Sequence, residues 1–293
     1  MSRVKSFAVG HGDMFYITHN SDNFSIIDCC LSDDNKKRIV DELLDQSSDK
    51  EVTRFISTHP DDDHFRGIRY LDDEFGIRNF YCVKNKTTKE DETDDFLHYC
   101  DLRDGDKAYY IKRDCERRWM NKTSDERRHS GVHIKWPAIE NADFKEALEL
   151  AEDGGSPNNI STVIRYGVED GGSFLWMGDL ETAFMEKIAD AIKWPKTDIV
   201  FAAHHGRQSG RIPHSILDQI QPKIIVLGEA PSRHLNYYGG YNTLRQNSAG
   251  DLTFECNDDS KVHIFASEPG YTADFLDDEG VSGDDNYIGT LNL

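Results

Sequence analysis

Short apolar runs separated by turns dominate the first part of the chain and predict strands. Residues 4–9, 14–18 and 24–27 form such runs, and a glycine-rich turn separates the first two. Similar runs predict strands at 53–57, 80–83, 162–166, 173–177, 198–202, 223–227, 252–256 and 262–266. Apolar residues at helical spacing predict helices at 35–46, 144–152, 180–192 and 215–219. Many strands followed by alternating helices and strands favour a layered α/β fold.

Two segments depart from this pattern. Residues from about 85 to 135 are rich in charge and weak in apolar periodicity, and we interpret them as an insertion in a single domain that spans 1–293. Residues from about 268 to 293 begin as an acidic, glycine-rich stretch. We expect them to form an acidic C-terminal tail or an extension at a sheet edge.

Composition narrows the class of protein. A chain of 293 residues with 37% hydrophobic residues can bury a large core. It has no apolar run of membrane-spanning length, no signal-peptide core and six scattered cysteines without a CxxC pair, so we expect a cytoplasmic protein without a membrane partner. The net charge of −20 counts against a polyanionic substrate. Bound divalent metals would reverse that charge locally.

The clearest chemical signal is the segment His59-Pro60-Asp61-Asp62-Asp63-His64, which follows a predicted strand. It places five potential metal ligands within six residues. His59 and Asp61 can face one ion, and Asp63 and His64 can face a second. Histidine and carboxylate ligands together suit zinc, manganese or iron. An acidic surface loop with two incidental histidines is the alternative.

Two further strand ends carry ligand-type residues. Asp179 directly follows the apolar run at 173–177 and Gly178, and His204-His205-Gly206 follows the run at 198–202. Polar residues at the ends of buried strands are common at functional sites. Three such strand ends make a metal site a better interpretation than a chance cluster.

The ordered motifs resemble the metallo-β-lactamase superfamily and are most similar to its ComEC-type branch, the hydrolase domain of competence DNA-uptake channels. The resemblance covers about residues 4–230. It implies a four-layer αββα metallo-β-lactamase sandwich with an inserted charged segment. The motifs are, in order, Gly10-His11-Gly12-Asp13, Ile26-Ile27-Asp28, the 59–64 segment, Asn158-Asn159-Ile160-Ser161, Gly178-Asp179 and His204-His205-Gly206.

The resemblance also implies two divalent metal ions. His59 and Asp61 match ligands of the first metal, and Asp179 matches the carboxylate that bridges both metals. The second-metal ligands match Asp63, His64 and His205. Asp28 matches an aspartate that supports the metal loop through hydrogen bonds, a role that orients ligands.

The first-metal site departs from the usual pattern in two ways. Asp61 stands where a histidine is usual, and Asn158 or Asn159 lies near the place of the missing third histidine. His133 or His129 is the alternative for that place. Oxygen ligands shift the expected metal from zinc toward manganese or magnesium.

The function that the resemblance implies is that of a nuclease or phosphodiesterase, in which a hydroxide shared by two metals attacks phosphorus. Catalysis is then expected to depend on Asp63 and Asp179. His204 either assists the leaving group or is structural. Candidates for contact with the substrate are Arg66, Arg207 and His234.

The charged segment bears on the partner. Between residues 103 and 128 there are nine basic and six acidic residues, with aromatic residues among them. Cations with aromatics suit a nucleic-acid strand, although a salt-bridged surface is the alternative. Two other functions remain open. One is hydrolysis of a small ester, lactone, thioester or phosphate monoester. The other is a non-catalytic or partner-activated module, whose protein partner binds the insertion or the acidic tail.

Overall fold

A computed structural model describes residues 1–230, 236–257, 259–282 and 286–293. Its strands are β1 (Ser2–Ser6), β2 (Phe15–Thr18), β3 (Asn23–Ile27), β4 (Cys29–Cys30), β5 (Val52–Ile56), β6 (Phe80–Cys82), β7 (Ala108–Tyr110), β8 (Val132–Trp136), β9 (Val163–Gly167), β10 (Ser173–Trp176), β11 (Ile199–Phe201), β12 (Ile224–Leu227), β13 (Thr243–Arg245), β14 (Leu252–Cys256), β15 (Lys261–Ala266) and β16 (Asn286–Asn292).

The helices are α1 (Lys36–Gln46), α2 (Asp62–Phe65), α3 (Ile68–Phe75), α4 (Asp94–Asp104), α5 (Ala142–Glu152), α6 (Thr182–Ile188), α7 (His214–Ile220) and α8 (Gln246–Ala249). Short 3-10 turns cover Asn158–Ile160, Ala189–Ala191, Ala203–Gly206 and Gln208–Gly210. Among these described helices, none is long and apolar enough to cross a membrane.

The strands form two mixed sheets. The larger sheet has the order β16-β15-β14-β1-β2-β3-β5-β6-β7, and the smaller has the order β13-β12-β11-β10-β9-β8. In the larger sheet β3, β5 and β6 run parallel, and in the smaller sheet β10, β11 and β12 run parallel. The carboxyl ends of parallel neighbouring strands lie at one edge of a sheet. The candidate ligands come directly after these strand ends.

Alternation along the strands sorts their side chains into layers. Phe174 and Trp176 of β10 lie in the core shared by the two sheets, whereas Leu175 faces the helices that cover the smaller sheet. On β2, Phe15 and Ile17 point into the shared core in the same way. The helices α1, α3 and α4 cover the outer face of the larger sheet, and α5, α6 and α7 cover that of the smaller. The expected four-layer αββα sandwich is thereby confirmed.

The charged segment from 85 to 135 contributes to these layers. Its helix α4 packs on the larger sheet through Phe96 and Tyr99, β7 forms that sheet's edge, and β8 begins the smaller sheet. The C-terminal segment ends in β16, which pairs with β15 at the other edge of the larger sheet. Both segments therefore complete sheet edges as well as adding charge.

Candidate metal centre

Four donor groups from three strand ends meet at one point, and we call Asp63, His64, Asp179 and His205 the metal centre. His64 Nε2 lies 3.2 Å from Asp179 Oδ1 and 3.8 Å from Asp63 Oδ1. His205 Nε2 lies 3.5 Å from Asp63 Oδ2 and 3.6 Å from Asp179 Oδ2. A tetrahedral ion with bonds of about 2.1 Å holds its ligand atoms roughly 3.4 Å apart. The separations are therefore of the size expected around a divalent ion, with each carboxylate turning one oxygen to each imidazole.

Three donor atoms of the metal centre are buried and available, whereas Asp63 is partly exposed. The Nε2 atoms of His64 and His205 and Oδ1 of Asp179 have no hydrogen-bond partner within the described part of the chain. Buried polar atoms normally find a partner, and a shared cation would satisfy all three. Two nitrogens with two carboxylates suit zinc, manganese or iron better than magnesium, which prefers oxygen ligands.

Electrostatics favour a cation at the same point. Burial opposes charge on His205, yet the carboxylates of Asp179 and Asp13 outweigh it and raise the pKa of His205 to about 10. Burial likewise opposes charge on Asp179, but His205 and His64 hold the pKa of that carboxyl well below its usual range. Anionic carboxylates that attract a proton to an imidazole also attract a metal ion.

Asp28 supports the metal loop, residues 59–64, through hydrogen bonds to Thr58 and His64. This fully buried residue follows β3 and adopts a positive φ of 55°, which aspartate and asparagine tolerate better than most residues. Its Oδ1 accepts from the Thr58 backbone at 2.7 Å, and its Oδ2 accepts from Thr58 Oγ1 at 2.5 Å. Oδ2 also lies 2.8 Å from His64 Nδ1. The contact leaves His64 Nε2 directed at the metal centre.

We predict that Asp28→Asn weakens metal binding by about 10–100-fold, the usual effect of losing a carboxylate behind a ligating histidine. Asparagine keeps the positive-φ backbone but loses the charge that fixes the His64 ring. Competition with a fluorescent zinc chelator measures the affinity. Asp72→Asn, which removes a carboxylate paired with His98 and Lys107, is the matched control. Equal affinities for the two variants would contradict the role given to Asp28.

Asp13 belongs to the first motif of the resemblance but was given no role there. Its Oδ1 lies 3.0 Å from His205 Nδ1, so it orients His205 as Asp28 orients His64. Asp13, His64, Asp179 and His205 also offer ligand atoms that all lie within 4.8 Å of one another. We assign Asp13 to orientation because it contacts Nδ1, whereas Asp63 and Asp179 surround Nε2.

Gly12 lets the turn before Asp13 approach the metal loop. A Cβ at Gly12 would lie 2.4 Å from Cys30 Sγ and 2.6 Å from the Asp63 carbonyl oxygen. Any larger residue would therefore push the turn away. His11 of the same turn is exposed, and its Nδ1 lies 3.2 Å from the Glu229 carbonyl oxygen.

The residues expected at the first metal are less well arranged. His59 is buried, its Nε2 lacks a hydrogen-bond partner in the residues described, and burial lowers its pKa to about 3, so it is a neutral donor. Asp61 instead pairs with Lys89, whose Nζ lies 2.5 Å from Asp61 Oδ1. Asn159 exchanges hydrogen bonds with Glu181. Asn158 Oδ1 is buried and has no partner among the described residues.

The alternative histidines lie against other elements. His129 contacts Ser21 and Gly131, and His133 stands on β8 opposite Arg165. Neither set of contacts involves the loop after β5. The structure therefore gives no support to a histidine in the third first-metal position.

His204 lies beside the metal centre in a strained turn. It has a φ of 52°, and its Nε2 is 3.5 Å from Asp179 Oδ2 while Ser209 Oγ lies 2.9 Å from its Nδ1. Burial lowers the pKa of His204, although Asp179 opposes the shift. The strain keeps a partly exposed imidazole aimed at the metal centre.

The proposed substrate residues have different surroundings. Arg66 forms an ion pair with Asp62 on the surface. Arg207 is partly buried, and its Nε has no hydrogen-bond partner within the described ranges. His234 lies outside the described residues.

Most basic residues of the charged segment are engaged within the chain. Arg117 stacks on Tyr109 at 4.1 Å and also faces Tyr81. Arg127 pairs with Glu51 and faces Trp119. The remaining contacts are Arg103 with Asp104, Lys107 with Asp72, Arg113 with the Ala191 carbonyl, Arg118 with Glu126 and Lys122 with Glu116. These contacts resemble a salt-bridged surface more than an open track for a nucleic-acid strand.

Comparison with known proteins adds a distant structural likeness. No protein-family model matches the chain, and no curated protein matches it. Among solved structures it is similar to CmlA, a diiron beta-hydroxylase from Streptomyces venezuelae, with 15% sequence identity and a TM-score of 0.41. The match covers 78% of this chain and 44% of CmlA, so this chain spans less than half of that protein's length. Its function is therefore inferred from its own residues.

Proposed function

We propose that this chain is a metal-dependent hydrolase of the metallo-β-lactamase superfamily, most similar to the ComEC-type branch, that cleaves phosphodiester bonds. The observation that carries the proposal is the metal centre of Asp63, His64, Asp179 and His205. Its four donors come from three strand ends, three of them are buried, and their separations are of the size expected around a divalent ion. We expect manganese or zinc as the metal, with magnesium less suited to two imidazoles.

A divalent ion held by Asp63, His64, Asp179 and His205 would act as a Lewis acid and would lower the pKa of bound water toward about 7. The chain's own residues then organise the reaction. Asp28 and Asp13 fix the two imidazole rings, and Asp179 presents one carboxylate oxygen to each ring. His204 places Nε2 3.5 Å from Asp179 Oδ2, where it could transfer a proton to a leaving oxygen. Arg207 is the nearest sequence candidate for holding a phosphate oxygen.

A smaller substrate is the second candidate. Most cations of the charged segment pair with other residues of the chain, so few cations of that segment remain to bind a long polyanion. A polar cavity of about 380 Å³ lies next to Asp61, between residues 87–91 and 154–157. Such a volume suits a small ester or phosphate monoester.

The experiment is a substrate panel on the purified chain with Mn²⁺, Zn²⁺ or Mg²⁺. Bis-p-nitrophenyl phosphate, linear DNA, single-stranded DNA and RNA report phosphodiester cleavage, and a lactone, a thioester and p-nitrophenyl phosphate report the smaller substrates. We expect metal-dependent cleavage of the phosphodiesters and its loss on chelation with EDTA. Intact phosphodiesters alongside cleavage of the lactone or thioester would overturn the proposal in favour of the second candidate.

A further inference from the structure

Lys89 pairs with Asp61, a residue that the resemblance assigns to a first metal ion. Its Nζ lies 2.5 Å from Asp61 Oδ1, in the segment between β6 and α4. The ammonium also lies 5.6 Å from the centroid of the buried Phe65 ring, and cations bind favourably to aromatic faces. Only 22% of the Lys89 side chain is exposed. The two contacts therefore hold its charge close to the metal loop.

Two hydrogen bonds to Glu152 anchor the segment that carries Lys89. The Lys86 backbone donates to Glu152 Oε1 at 2.9 Å, and Thr88 Oγ1 donates to the Glu152 carbonyl at 3.1 Å. Thr87 is buried between these two residues. The backbone directly before Lys89 is therefore held in place, which favours the contact between Lys89 and Asp61.

One oxygen of Asp61, Oδ1, already has partners within the chain. Besides the Lys89 ammonium, its Oδ1 accepts from the Asp62 backbone at 2.9 Å and so caps α2. A divalent ion bound to the same carboxylate would face the ammonium within a few ångströms and be repelled by it. Asn159 is held by Glu181, which leaves the first site with His59, Asn158 and a share of Asp179. Because His59 and Asn158 are neutral, this set of ligands would bind a divalent ion weakly.

We propose that the Lys89 ammonium supplies at Asp61 the positive charge of a first metal ion, so that this chain binds a single divalent ion in the metal centre. The inference rests on the proposed function only for the metal centre itself. It departs from the two metals expected from the resemblance. It also gives Lys89 a positioning role, because its ammonium holds Asp61 Oδ1 at 2.5 Å.

Metal stoichiometry tests the proposal without an activity assay. The metal-free protein is titrated with Mn²⁺ and, separately, Zn²⁺, and bound ions per chain are counted by native mass spectrometry and by equilibrium dialysis with elemental analysis. We expect one ion per chain for the wild type. We expect Lys89→Met, which keeps the stem over Phe65 and removes the charge, to bind a second ion at least about tenfold more tightly than the wild type does.

Two controls separate charge from damage to the fold. Lys86→Ala removes an exposed cation of the same segment and should retain one ion, and Lys89→Arg keeps the charge and should also retain one. Thermal melting in the absence of metal shows whether each variant folds. Two tightly bound ions in the wild type, or a single ion in a folded Lys89→Met variant, would overturn the inference. No bound ion in the wild type would overturn the metal centre as well.

Discussion

Asp179→Ala is expected to abolish metal binding and to reduce hydrolysis by about 10³-fold or more, because one carboxylate serves both imidazoles of the metal centre. The loss should appear in kcat/KM for bis-p-nitrophenyl phosphate and in the metal content of the purified protein. Asp190→Ala, which removes an exposed carboxylate eleven residues further on, is the matched control and should match the wild type. Activity that persists unchanged in Asp179→Ala would contradict the assignment of the centre.

Phe174→Ala is expected to lower the free energy of unfolding by about 3–5 kcal/mol, as large aromatic truncations in cores do. Phe174 is fully buried between the sheets, with ring centroids of Phe254, Tyr166 and Trp176 at 5.7, 6.0 and 6.1 Å. Urea denaturation followed by far-UV circular dichroism measures the change. Removal of the ring leaves a cavity in the layer shared by both sheets.

Two companion variants calibrate the Phe174→Ala result. Phe174→Leu keeps most of the volume and should cost less than half as much as the alanine variant. Leu150 lies on α5 and 55% of the residue is exposed. The free energy of unfolding of Leu150→Ala should therefore stay within about 0.5 kcal/mol of the wild type. A loss below about 1 kcal/mol for Phe174→Ala would mean that the inner layer is not a packed core.

The layered fold was predictable because the strand pattern is local. Phe15, Tyr16 and Ile17 form a continuous apolar run, and such a run predicts a strand that is covered on both faces before any partner is known. In β8, the apolar residues Val132, Ile134 and Trp136 alternate with polar ones, but this stretch was interpreted as part of the charged segment. Overall charge across 85–135 therefore concealed a strand that its own alternation could have shown.

The metal centre was predictable from ligand-type residues placed directly after apolar strands. Asp63, His64, Asp179 and His205 were all candidates on that ground, and the structure brings their side chains together. The contact of Asp13 with His205 was not predicted because it depends on the approach of the turn to residues 59–64, which Gly12 permits. The glycine on either side of His11 was the available signal.

Long-range charge pairing was not predictable. Lys89 lies 28 residues from Asp61, and nothing in the local sequence connects the two side chains. Arg127 and Glu51 meet across the fold in the same way. Composition shows how many cations a segment contains, whereas the tertiary structure decides which of them remain free for a substrate.

The most direct test of the metal centre is anomalous diffraction from crystals of this chain grown with Mn²⁺ or Zn²⁺. One strong anomalous peak is predicted, at about 2.0–2.3 Å from Asp63, Asp179 and the Nε2 atoms of His64 and His205. Lys89 Nζ should remain on Asp61 in the same crystals. The absence of a peak between these four side chains, in crystals that hold the metal elsewhere, would contradict the account.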